Sequence, residues 1–476
     1  MTRRTKIVCT LGPAVDTLEQ IEKLILAGMN VARLNYAQGS PTEHGRRIAL
    51  VREASKRLKI PVAILQDLCG PKIRTLHRDP VELQVGGTHV LVGARDPLRE
   101  AELKAQNNVI GVDYDRLSKD LIVGSHIMFA DGHLQMLVTK IEGEEVHCVV
   151  EHGGTLRPRA GVNLPADQIQ LPALTTEDRE HLKQGLAAGV DWVSLSFVRE
   201  ASEVHELRAL CASLGRPTPV ISKIETPSAI RNLDSIVRAS DGIMVARGDL
   251  GVEFPPEDVP VLQRQIVEAS RLFRKPVIVA TEMLQSMIHS SRPTRAETSD
   301  VAAAVYGGAD AVMLSAETAI GEYAVGACTM MARIIERSEE SAYFDPPSGD
   351  NGGPATVAIA YAARQISTSV GAQLIVALTE SGATAQLVSK ARPQVPIIAY
   401  SSSEVTLNRL ALLWGVEPAY LEGGGAKQDL QATIDFISRD LKERQRLASG
   451  QSYVLTYGVK MGVEGSTNAL RVETLP

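Results

Sequence analysis

The sequence predicts an α/β protein: a (β/α)8 TIM barrel, interrupted by an all-β insert and followed by a C-terminal α/β domain of the doubly wound kind. Three observations carry this expectation. Eight short apolar runs, each about one strand long, alternate with helix-like segments. The alternation stops between about Ile73 and Pro165, where the text turns to strands and tight turns. A break rich in Pro, Gly and Asp, FDPPSGDNGGP (344–354), then precedes a second set of α/β repeats.

The first strands are expected at 5–12, 30–37 and 61–68, with helices near 17–28 and 41–58 between them. The insert reads VELQVGGTHVLV and then IVGSHIMFADGHLQMLVTKIEGEEVHCVVEHGG. Its Gly-Gly, Asp-Gly and Glu-Gly pairs and the lack of a long 3.6-residue period point to hairpins. Alternation resumes with a helix at Thr176–Ala188 and the strand DWVSLSFV (191–198). Four more runs follow: PVISKIE (219–225), GIMVARGD (242–249), PVIVATE (276–282) and AVMLSAET (311–318). A doubly wound sheet uses the same local pattern, so the strand count alone leaves that alternative open. Beyond the break, strands are expected in LIVALTE (374–380), PIIAYSS (396–402) and SYVLTYG (452–458). The expected division is 1–72 with 166–343 for the barrel, 73–165 for the insert, 344–354 for the linker and 355–476 for the C-terminal domain.

Composition narrows the function classes. The 476 residues are too many for one ordinary core, and the mix is globular, 44% hydrophobic and 22% charged. A net charge of −6 with both signs mixed leaves no nucleic-acid footprint. No apolar stretch approaches the roughly 20 residues of a membrane helix, and Met1–Thr10 lacks the features of a signal peptide. Five scattered cysteines without a Cys-x-x-Cys favour reduced thiols in a cytoplasm over disulfides or zinc.

The four late runs each end in a reactive side chain. Residues two apart on a strand share a face, which pairs Arg33 with Asn35, Lys223 with Glu225, and Ser315 with Glu317. Asp67, Asp249 and Thr281 stand at the ends of strands three, six and seven. In a barrel these ends converge on one mouth. Glu225 and Asp249 form a carboxylate pair suited to Mg²⁺, with substrate oxygens and water completing the octahedron. Lys223 adds positive charge over a developing oxyanion. Arg33 and Arg74 offer forked donors to phosphoryl oxygens. Gly248 lets backbone approach a small anion. Taken singly, a Lys–Glu pair is more often a solvated ion pair, an Arg-Gly-Asp a turn, and Ser315 or Thr281 a helix cap. Their equivalent places on consecutive strands favour phosphoryl transfer or enolate chemistry.

At this point the chain resembles the pyruvate kinase family. The motifs are TKIVCTLGPA (5–14), AGMNVARLN (27–35), GPKIRT (70–75), GVNLP (161–165), SKIE (222–225), MVARGDLGVE (244–253), ATEMLQSM (280–287), RPTRAETSDVAAAV (292–305) and MLSAET (313–318), in family order across nearly the whole chain. The resemblance implies that the insert is a β-barrel lid and that the enzyme moves a phosphoryl group from phosphoenolpyruvate to ADP. It implies that Arg33 and Lys223 bind that group, and that Glu225 and Asp249 hold Mg²⁺ or Mn²⁺. The Gly248 and Asp249 amides with Thr281 would hold the substrate carboxylate. Thr281, Ser315 and Glu317 would lie on the side where the enolate is protonated. Arg74, Asn35 and the loop Thr10–Pro13 would face the nucleotide. A cytoplasmic homotetramer is expected from the family, with no nucleic-acid or membrane partner.

The chain also departs from the family. After Asn35 the usual aromatic, serine and histidine become Tyr36, Ala37 and Gln38, and Ala37 cannot ligate K⁺ as the serine does. In GPKIR, Lys72 replaces a glutamate, and Leu68 and Cys69 replace a threonine and a lysine. Variants of this kind resemble the K⁺-independent members, so Lys72 is expected to supply the missing charge beside Asn35 and Asp67. A unit charge at ~4 Å is worth roughly 4 kcal/mol at an effective dielectric of ~20. Ala160 stands where lysine usually precedes GVNLP, and the acidic pair of the lid hairpin is reduced to Ala130-Asp131. In the C-terminal domain TESGAT (379–384) offers Thr379, Ser381 and Thr384 at a helix start, a phosphate nest that in relatives takes a phosphorylated effector. The other readings are a paralogue acting as a sensor or binding protein, and an enzyme using another nucleoside diphosphate.

Overall fold

The computed structural model describes residues 3–93, 108–130, 132–165, 169, 171–345, 352–422, 429–458 and 467–476. Asp131 and residues 346–351 of the expected linker lie outside them. Short apolar runs bounded by polar turns become parallel strands. Eight of them, Lys6–Thr10, Val31–Asn35, Ala63–Asp67, Trp192–Leu195, Val220–Ile224, Gly242–Ala246, Val277–Ala280 and Ala311–Leu314, close a barrel. Lys6 pairs with Ala311 where the last strand meets the first, which excludes the open sheet. Reciprocal capping boxes led by Thr17, Ser40, Thr175 and Thr294 start four helices, including Leu18–Ala27 and Pro41–Leu58.

The predicted strands run too long at their carboxyl ends. Strand six stops at Ala246, and Arg247–Glu253 is a helix, so Asp249 sits in a first helical turn where its charge suits the dipole. Strand eight stops at Leu314, and Glu317 lies in the short helix Ala316–Ala319. Ser315 and Glu317 are therefore not neighbours on a strand face. Thr281 and Glu282, after strand seven, adopt left-handed φ values of 69° and 55°.

The insert forms a seven-stranded sheet and a two-stranded one. Its outer strand Ile73–Arg74 pairs antiparallel with Gly161–Asn163, so entry and return lie side by side. A bridge between Thr75 and Val112 joins the two ends of the seven-stranded sheet and turns it back on itself. The C-terminal sheet has the order Val416–Tyr420, Ile397–Ser401, Leu374–Leu378, Ser452–Gly458, Thr467–Thr474, with only the last strand antiparallel. Its two edge strands were not predicted. Pro418 disguises one and mostly polar, exposed residues the other, as is usual at sheet edges.

The barrel interior is filled from both sides. Val8, Val31, Leu65, Ile221, Met244 and Ile278 meet Ala411 and Leu412, which the C-terminal domain inserts at the amino-terminal end of the barrel. Buried polar contacts secure that joint. Lys390 pairs with Asp310 at 2.5 Å, and Arg392 reaches the same carboxylate at 3.2 Å. The Lys6 ammonium donates to the Val416 carbonyl at 2.7 Å. With that end sealed, the opposite mouth is left for chemistry.

Candidate active site

Arg33 projects from strand two and is held rather than free. Its Nε donates to Asp67 Oδ2 at 2.7 Å and its Nη1 to Thr10 Oγ1 at 2.9 Å. Thr10 in turn donates to the Leu314 carbonyl at 2.9 Å. The other oxygen of Asp67 accepts from Ser194 at 2.5 Å and lies 3.9 Å from Lys223 Nζ. Burial works against the Asp67 charge, but Lys223 and Arg33 outweigh it and hold the carboxyl below its usual range.

Lys223 is the hub. Its Nζ lies 2.7 Å from Glu225 Oε1 and donates to Ser196 Oγ at 2.9 Å. Burial alone would lower its pKa. Asp67, Glu225 and Asp249 more than reverse this, so it stays charged. Glu225 is fully buried one residue beyond strand five; its Oε2 accepts from the Phe197 amide at 2.6 Å. Its Oε1 has the ammonium close by but no well-angled hydrogen bond. Burial, reinforced by Asp249, pushes the Glu225 carboxyl up to about 7. A buried carboxylate oxygen without a proper donor, beside a second carboxylate, is a site that a hard divalent cation would satisfy.

The far side of the mouth is built on backbone. The Gly248 amide donates to Thr281 Oγ1 at 2.8 Å. Arg247 donates to the Ala280 carbonyl at 3.2 Å and the Thr281 carbonyl at 2.5 Å, and pairs with Asp300 at 2.7 Å. It thereby fixes the left-handed turn that aims Thr281. Glu317 is buried and accepts from the Ser315 amide at 2.7 Å and the Leu284 amide at 3.1 Å. It braces the loops of strands seven and eight, while the Ser315 hydroxyl has no hydrogen-bond partner among the described residues. A Cβ on Gly12 would meet the Ala319 carbonyl at 2.4 Å, so the Thr10–Pro13 loop rests directly on the helix after strand eight.

A cavity of about 460 Å³ opens beside this array, lined by Tyr36, Ala37, Lys72, Arg74 and Arg159 among others. Arg74 donates to the Arg159 carbonyl at 3.1 Å. Asn35 stands in register with Asp67 and accepts from the Ala37 amide at 3.2 Å. Lys72 is exposed and forms no ion pair among the described residues, so it shares the cavity with Ala37 but does not touch Asp67. In the C-terminal domain, the Thr379 hydroxyl accepts from the Gly382 amide at 2.9 Å and Thr384 pairs with Thr467 at 2.5 Å. Only Ser381 of the three is exposed. Sequence reasoning passed over Ser194, Ser196 and Arg247. Ser194 lies on strand four and Ser196 two residues on, just past its end, so the same face-sharing rule could have found them.

The fold and this mouth define a barrel enzyme that gathers paired carboxylates, a charged lysine and an arginine at the carboxyl ends of its strands. Models for two domains match the chain: "Pyruvate kinase, barrel domain" over residues 2–328 and "Pyruvate kinase, alpha/beta domain" over residues 357–473. The chain is 40% identical over 475 residues to the pyruvate kinase of Mycobacterium tuberculosis, covering 100% of this chain and 99% of that one. It is 40% identical to the pyruvate kinase of Thermotoga maritima, with 99% of each chain covered. For "Pyruvate kinase 2" of Synechocystis the identity is 40%, over 99% of this chain and 79% of the relative. The chain belongs to the pyruvate kinase family and is a phosphotransferase of that family. Among the described residues no helix is long and apolar enough to cross a membrane.

Proposed function

We propose that this enzyme transfers the phosphoryl group of phosphoenolpyruvate to ADP, giving pyruvate and ATP, with Mg²⁺ or Mn²⁺ at Glu225 and Asp249 and without a requirement for K⁺. The observation that carries the reading is the Arg33–Asp67–Lys223–Glu225 array, a charged lysine and arginine held rigidly over a buried carboxylate. When bound, the divalent ion adds positive charge for phosphoryl and enolate oxygens. Arg33 and Lys223 hold the moving group. The P–O bond to the enol oxygen breaks as one forms to a terminal oxygen of ADP, and Lys223 stays beside the enolate that remains. Thr281 and the Gly248 and Asp249 amides receive the carboxylate, the Gly248 amide exchanging its bond to Thr281 for one to substrate. A proton delivered on the side of Thr281, Ser315 and Glu317 then converts the enolate to pyruvate. Residues 73–165 would act as the lid that excludes water, and Thr10, Pro13, Asn35 and Arg74 would face the nucleotide.

The K⁺ reading rests on chemistry: Ala37 has lost a ligating hydroxyl, and Lys72 brings a fixed charge to the same cavity. Lys72 must swing toward Asn35 and Asp67 when substrates bind. A cytoplasmic homotetramer with a phosphorylated effector at Ser381 and its neighbours completes the reading, which the five free thiols suit. The test is a lactate-dehydrogenase-coupled assay with phosphoenolpyruvate, Mg²⁺ and a panel of nucleoside diphosphates. Pyruvate with ADP supports the reading. Pyruvate only with another diphosphate, or none at all, refutes it in favour of a different acceptor or a sensor.

A further inference from the structure

Three residues just after strand four, Ser196, Phe197 and Arg199, between them touch Lys223, Glu225 and the two crossings between barrel and insert. Ser196 accepts from Lys223 at 2.9 Å and donates to the Leu68 carbonyl at 2.8 Å. Phe197, in a left-handed conformation with φ 54°, gives its amide to Glu225 at 2.6 Å. Its ring lies against Gly70, where the chain leaves the barrel. A Cβ on Gly70 would come within 2.9 Å of that ring, and its φ of +69° also favours glycine. Arg199 grips the return crossing, donating to the Ile169 carbonyl at 3.1 Å and the Leu171 carbonyl at 2.6 Å.

Arg199 is itself fixed at its base. Its guanidinium pairs with Glu203 at 2.7 Å, its amide donates to the other oxygen of Glu203 at 2.6 Å, and its carbonyl accepts from Asn232 at 2.8 Å. The planar fork thus spans a helix of the barrel and the returning chain at once, with a fixed, five-donor geometry that an ammonium lacks. Phe197, held at its positive φ by the contacts around it, lies on the same loop two residues before Arg199. A shift of the return crossing strains the two carbonyl bonds of Arg199, and Phe197 on that loop gives its amide to Glu225.

We propose that Arg199 is a positioning residue that couples the placement of the β insert to the geometry of the metal carboxylate Glu225. The coupling is reciprocal by linkage: a divalent cation at Glu225 favours the placed insert, and the placed insert raises affinity for the cation. The inference rests on Glu225 being a metal ligand, as read above.

The experiment measures Mn²⁺ binding by electron paramagnetic resonance, without substrates, in the wild type, Arg199→Met and Arg199→Lys. Hydrogen exchange across 161–163 is followed with and without Mn²⁺. In the wild type Mn²⁺ should slow that exchange. Arg199→Met should bind Mn²⁺ about fivefold more weakly and lose the slowing. Arg199→Lys, which keeps the charge beside Glu203, should retain the fold and show an intermediate loss; melting curves check that both variants are folded. Wild-type affinity together with a retained Mn²⁺ effect on exchange in folded Arg199→Met or Arg199→Lys overturns the proposal alone. A wild type that binds no Mn²⁺ overturns the metal assignment and this inference with it.

Discussion

Lys223 is kept charged by three carboxylates although it is buried, and the ammonium is already fixed by Ser196 and Glu225 before any substrate arrives. Such preorganisation is where electrostatic catalysis gains most, because no reorientation is needed as charge develops. Replacing it by an apolar side chain of similar length leaves Glu225 and Asp67 without their shared cation. Lys223→Met should lower kcat by about 10²- to 10³-fold, with a smaller change in KM for phosphoenolpyruvate, as steady-state kinetics will read. An unchanged kcat would remove Lys223 from the reaction. This lysine and its carboxylates were legible in the sequence because each is a titratable side chain at a strand end. Phe197 and Arg199 were not, because one acts through its backbone amide and the other on backbone carbonyls, and an amide donor such as that of Phe197 has no letter in the sequence.

Strand one and the C-terminal sheet meet in a joint whose polar groups are almost wholly buried. Lys6 donates to the Val416 carbonyl there, and burial lowers its pKa from 10.5 to about 7. Below about pH 7 both folded and unfolded chains hold this proton, and the cost of burying the charge is paid in full. Between about 7 and 10.5 the unfolded chain binds the extra proton, so stability rises with pH by this contribution. Lys6→Met removes it. The stability of the wild type relative to Lys6→Met should therefore rise by about 3 kcal/mol between pH 6 and pH 9, in urea titrations. A difference independent of pH would show that Lys6 titrates normally. The same joint carries the plug at the base of the barrel. Leu412→Ala leaves a void among Val31, Leu65 and Met244 and should cost about 2–5 kcal/mol, measured as a lower melting temperature. A cost under about 1 kcal/mol would mean that the C-terminal domain merely leans on the barrel. The plug was hidden in the sequence, since LALLWG reads as an ordinary helix end and nothing local says that it enters another domain.

At the scale of the whole chain, alternation of apolar runs revealed the eight barrel strands, and its interruption revealed the insert. What periodicity could not reveal was where strands stop, because the short polar stretch after each apolar run fits a strand end as well as a first helical turn. Asp249, Ser315 and Glu317 thus belong to helix starts, yet they still face one mouth because all eight carboxyl ends do. The edge strands of the C-terminal sheet escaped notice for the opposite reason: they bury too little to show a pattern. The assembled molecule sets a sealed barrel base against an open mouth, with the insert anchored beside Glu225. The central claim, phosphoryl transfer to a nucleotide rather than release to water, is tested most directly by ³¹P NMR. The mixture holds phosphoenolpyruvate, ADP, Mg²⁺ and the enzyme in buffer free of K⁺ and Na⁺. The account predicts that the phosphoenolpyruvate resonance disappears as the three resonances of ATP grow, at a rate that added K⁺ leaves unchanged. Conversion to inorganic phosphate, or no conversion with either salt, would contradict it.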